Sequence, residues 1–203
     1  MPRRERYAFS DADESFDLLV KSALVALLCL ITFCKGQFQQ VNQSNLPAEV
    51  IDILTKDFSE TEILGLSDLE AVTLKYFTEQ YPHQIPGMVS ADFDGNGLAD
   101  YALLLKGQAF DKNNTDSEAR ILLVVFMQMD HGKFTRFVLN DEIVLLHRLF
   151  LRPVRKGKVD IFINDTRASV SISFPAFEYV CFEAYSTLFF WDGKGFSSYV
   201  TGF

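Results

Sequence analysis

The sequence predicts an α+β domain in which two N-terminal helices pack on a mainly antiparallel β-sheet, preceded by a signal peptide or membrane anchor. Three observations lead there. Apolar residues recur at helical spacing only between about residues 46 and 81. Beyond residue 87 the pattern changes to short apolar runs punctuated by turn residues, which reads as strands joined by tight hairpins. An uncharged apolar run, SALVALLCLITF, occupies residues 22–33.

That run is 12 residues long and follows Lys21. A helix crossing a bilayer needs about 20 apolar residues, whereas the hydrophobic part of a secretory signal needs roughly 7–15. The run fits the second better. Residues 1–36 are therefore expected to be a leader, either a signal peptide or a signal anchor with a short cytoplasmic tail. Cys34-Lys35-Gly36 offers small residues for cleavage before Gln37, and lipidation of Cys34 is the alternative. The polar stretch QFQQVNQSN, residues 37–45, reads as a linker, and residues 46–203 as one α+β domain.

The first helix is expected to begin near Pro47, because proline suits the first helical position. Val50, Ile51, Leu54 and Phe58 form its apolar stripe. Ser67 and Glu70 make an S-x-x-E capping box for the second, with Leu69, Val72, Tyr76 and Phe77 as its stripe and Pro82 as its end. Hairpins are expected at three turns: residues 130–133, Asn164-Asp165 and Asp192-Gly193. Ranges 158–163, 168–174, 187–191 and 196–200 flank the last two as strands.

Charge and cysteine content narrow the function classes. The net charge is −8, and all of it lies beyond residue 36. A nucleic-acid binder shows the opposite balance, so no nucleic-acid partner is expected. Membrane contact is expected only through the N-terminal segment. Of three cysteines, Cys29 and Cys34 fall in or beside the apolar run, leaving Cys181 alone in the domain. A disulfide scaffold is excluded. Cys181 sits in YVCFEAY and reads as a small buried hydrophobe.

One motif carries chemistry. Residues 92–101 read DFDGNGLADY. Asp92, Asp94, Asn96 and Asp100 occupy positions 1, 3, 5 and 9 of a calcium loop, with Gly97 at position 6. Position 7, Leu98, would contribute its backbone carbonyl. Ca²⁺ is a hard cation that takes six to eight oxygens. Alternate carboxylates on a tightly wound loop converge on one point, and glycines let the chain wind. The same residues also make ordinary Asp/Gly turns. Position 12 is Leu103 rather than glutamate, and YALLL after the loop reads as a strand, so the motif is not an EF-hand.

The loop resembles the calcium loops of FG-GAP and VCBS-type repeats, D-x-D-G-D/N-G-x-x-D followed by a short apolar strand. The resemblance covers about ten to fifteen residues and implies a structural Ca²⁺ in an exported bacterial protein, held by Asp92, Asp94, Asn96, the Leu98 carbonyl and Asp100. It does not imply a propeller, which needs several copies. Missing the glutamate, the site belongs in the weak range of extracellular modules, roughly 10⁻⁴ to 10⁻³ M.

The other candidates are weaker. His83, His131 and His147 have no zinc spacing. No nucleophile elbow and no phosphate loop occur. Glu178 and Glu183 could pair as carboxylates, and Arg148, Arg152, Arg155, Lys156 and Lys158 form a basic cluster. Asn42, Asn113 and Asn164 fit the N-x-[ST] triplet. The expectation is an exported, periplasmic, extracellular or outward-facing anchored domain without enzymatic activity, carrying a structural Ca²⁺ and binding a protein or small ligand. Alternatives are an envelope hydrolase, or an inhibitor or carrier that uses an aromatic sheet face.

Overall fold

The computed structural model describes residues 46–107, 118–130 and 132–202. The leader, the linker, His131, Asn42 and Asn113 lie outside the described residues. Among the described residues no helix is long and apolar enough to cross a membrane.

The fold is β-rich, which corrects the α+β expectation. Eleven strands form two antiparallel sheets among the described residues. The first contains β1 (Thr61–Ile63), β2 (Met88–Ala91), β3 (Asp100–Gly107), β4 (Glu118–Asp130) and β5 (Lys133–Leu145). Its order is β1-β3-β4-β5, with β2 also paired to β3. The second contains β6 (Leu149–Val154), β7 (Gly157–Ile163), β8 (Thr166–Ile172), β9 (Ala176–Cys181), β10 (Tyr185–Trp191) and β11 (Phe196–Gly202), ordered β6-β9-β10-β11-β7-β8. Two ten-residue helices, α1 (Ala48–Asp57) and α2 (Ala71–Gln80), are additions to this frame.

The physical reason lies in the first sheet. β3 and β4 are buried on both faces, so they read as unbroken apolar runs without alternation. Tyr101, Leu103 and Leu105 of β3 pair across with Phe126, Val124 and Leu122 of β4 on the outer face, where Val50 of α1 covers them. Ala102 and Leu104 pair with Val125 and Leu123 on the inner face. There the cover is chiefly the second sheet, through Phe150, Phe177 and Tyr179, with Phe77 of α2 filling one side. Sheet-on-sheet packing thus does most of what was expected of helices.

The second helix also starts later than its apparent box. A single 3-10 turn, Leu66–Asp68, comes first, and Asp68 accepts the Gly65 N–H at 2.8 Å. Glu70 becomes the N-cap without a capping side chain, its own N–H bonded to the His147 carbonyl at 3.1 Å. The buried face shifts accordingly. Thr73 and Phe77 are buried, whereas Val72 is exposed. The Asn164-Asp165 turn forms as its residues suggest, both at positive φ (49° and 60°), linking β7 to β8. At Asp192 the side chain accepts the Lys194 and Gly195 N–H groups and closes the β10–β11 turn.

Candidate metal centre

Residues 92–99 connect β2 to β3, and the hairpin closes where Ala91 pairs with Asp100. The loop is wound by its own side chains. Asp92 accepts the N–H of Gly95 at 2.7 Å through Oδ1 and that of Gly97 at 3.0 Å through Oδ2. Asp94 Oδ1 accepts the Asn96 N–H at 3.1 Å, and Asn96 Oδ1 the Leu98 N–H at 2.7 Å. These are Asx turns, and they bend the chain toward its own carboxylates.

Two glycines permit the path. Gly97 stands at φ +83° with nothing within 4 Å of a hypothetical Cβ, so only its backbone angle demands glycine. Gly95, at φ +80°, is doubly constrained: a Cβ there would lie 2.1 Å from Cε1 of Phe174.

The loop is anchored from beneath. Phe93 is fully buried between the sheets, 5.3 Å from the Phe177 ring and 6.3 Å from Phe196 between centroids. Asp100 is also fully buried. Its Oδ2 accepts the Phe93 N–H and its Oδ1 the Gln128 N–H, both at 2.8 Å. Asn96 Nδ2 donates to the Gln128 carbonyl at 2.8 Å and to Asp94 Oδ2 at 3.2 Å. One loop therefore grips the end of β4 and the interior between the sheets.

Asp92, Asp94 and Asp100 bring ligand oxygens within 4.8 Å of one another, and this cluster could hold a metal ion. Its electrostatics suit one. Burial raises the Asp100 carboxyl to about 7, helped by the charges of Asp94 and Asp92 and opposed by its two N–H bonds. Burial likewise raises Asp94, with Asp92 adding to it. Each carboxylate oxygen has a second lone pair, so the N–H bonds leave ligating capacity. Asn96 meets Asp94 through its amide nitrogen, and Leu98 is half-buried in the loop with its N–H on Asn96.

The remaining candidates are dispersed. Glu178 is buried and ion-paired with Arg152, while Glu183 sits at φ +57° in the β9–β10 turn. Arg148 pairs with Glu70 at 2.9 Å, so the basic cluster is partly neutralised. Cys181 is half-buried, and burial pushes its thiol up, the reverse of what a thiolate nucleophile needs. His147 Nε2 is buried and makes no hydrogen bond among the described residues. An apolar groove of about 410 Å³ runs between α1 and β1, lined by Ile51, Leu54, Phe58 and Ile63, with Glu62 the one carboxylate among its described lining residues. Sequence reasoning missed Gln128, whose backbone completes the Asp100 and Asn96 contacts from 28 and 32 residues away. It also missed the Arg152–Glu178 pair. Nothing local announces either.

No family model, curated protein or solved structure matches the chain.

Proposed function

We propose that the chain is an exported, non-enzymatic domain whose 92–100 loop holds a structural Ca²⁺, serving a binding or structural role at the cell envelope. The observation that carries this is Asp100: a fully buried carboxylate with two others beside it, an arrangement a divalent cation would relieve. Asp92, Asp94 and Asp100 would supply charge. Asn96 would join by turning its carbonyl to the ion, and Leu98 by its backbone oxygen. The loop's grip on β4 and on the inter-sheet core supports a stabilising role rather than a signalling one. Export is inferred from the apolar run at residues 22–33 and from the weak affinity such a loop would have, which suits a calcium-rich exterior.

Thermal unfolding of the full chain with chelator, Mg²⁺ or Ca²⁺ is the test. For a dissociation constant of 10⁻⁴ to 10⁻³ M, 10 mM Ca²⁺ should add roughly 1.4–2.7 kcal/mol. That corresponds to a rise in Tm of about 3–10 °C for a domain of this size. An unchanged Tm in Ca²⁺ would remove the metal from the proposal.

A further inference from the structure

The borders of the two sheets differ. β1 is three residues long. β6 carries Pro153, and the Pro86 carbonyl takes its Leu151 N–H at 2.7 Å. β8 is largely polar, with Arg167 paired to Asp160. These are common ways of keeping a sheet border from recruiting another strand. β5 is different: it is 13 residues long, it borders the first sheet, and among the described residues no strand pairs with its outer side, where Glu49 of α1 takes only the Phe134 N–H, at 3.2 Å. Val138, Ile143 and Leu145 on it are 52%, 64% and 44% exposed.

The pairing with β4 shows which side chains share a face. Arg136 lies opposite Phe126, Val138 opposite Val124, Asp141 opposite Leu122 and Ile143 opposite Arg120. Phe126, Val124 and Leu122 belong to the outer face, so Arg136, Val138, Asp141 and Ile143 do too. Along β5, positive charge precedes negative: Lys133 and Arg136, then Asp141 and Glu142. Such a strand is complementary to itself when reversed.

We propose that β5 pairs antiparallel with β5 of a second copy of this chain, Arg136 facing Asp141, joining the two first sheets into one. In this register Phe134 faces Ile143 and Thr135 faces Glu142, each with a residue on its own face. The alternation slips once along β5, at Leu139, where the pairing with β4 has a bulge. The slip falls beside the two-fold axis in both copies, so the faces stay matched on either side. Moving the register by one residue would set Arg136 against Glu142, which points to the opposite face. Moving it by two sets Arg136 against Ile143. The favoured register also brings the exposed Val138 side chains together near the axis. Arg136 is ion-paired with Asp57 and Asp141 with Arg120, so dimerisation would link four alternating charges, twice.

Sedimentation equilibrium of the full chain, in a mild detergent that disperses the 22–33 run, tests this. The wild-type chain should be a dimer. Arg136→Asp or Asp141→Arg should each raise the dimer Kd roughly tenfold or more, since each change enters twice per dimer. The double variant R136D/D141R should dimerise more tightly than either single one. A monomeric wild-type chain overturns the proposal. So do single variants that associate as well as wild type, which would place the contact elsewhere. A double variant no tighter than the singles overturns the register.

Discussion

Asp100 makes the stability of the metal-free protein depend on pH in an unusual direction. Its carboxyl is raised from the ordinary range near 3.8 to about 7 in the folded state. A group whose folded pKa lies above its unfolded one stabilises the fold fully below the unfolded value. That contribution is lost as pH climbs through the folded value. The window is therefore about pH 4 to 7. A shift of about three pH units corresponds to roughly 4 kcal/mol at most. The carboxylates held below the ordinary range do not mask the effect. Asp141, Asp160 and Asp192 are lowered by Arg120, by Arg167 and by Ser197 with backbone N–H groups, so they act below this window. Asp94 is raised and acts in the same sense as Asp100. Urea unfolding of metal-stripped protein at pH 4.5, 5.5, 6.5 and 7.5 should show stability falling by roughly 1 kcal/mol per unit. In saturating Ca²⁺ the carboxylate stays ionised and the slope should flatten. Asp100→Asn should flatten it without metal, and should abolish the response to Ca²⁺. Metal-free stability that is level or rises across the window would refute the reasoning.

Two further outcomes follow from packing and pairing. Gly95→Ala should lower stability by about 2 kcal/mol or more, seen as a lower urea midpoint, because its Cβ would meet the Phe174 ring at a positive φ. Arg152→Met should cost about 3 kcal/mol near neutral pH, because it leaves Glu178 buried and unpaired. A lower urea midpoint at neutral pH measures the loss.

The loop residues were readable in the sequence because their spacing is a local property. Asp92, Asp94 and Asp100 meet through turns made within ten residues, and Gly97 stands at a positive φ as its place in the motif implies. The Asn164-Asp165 hairpin was readable for the same reason. β1, β2, β6 and β9 were not. Each is short or continuously apolar, and such runs carry no alternation to separate strand from helix. The apparent capping box at Ser67 misled because Glu70 finds its partners, His147 and Arg148, far along the chain.

Neighbouring residues alone thus set the turn chemistry, the acidic loop and the segments able to be strands, since turns and Asx bonds close within a few residues. Folding in three dimensions settled that a second sheet, rather than a helical layer, covers the inner face of the first. It also buried Asp100 against Gln128 and left β5 at a border. Those outcomes depend on contacts between distant segments, whose closure no local spacing records.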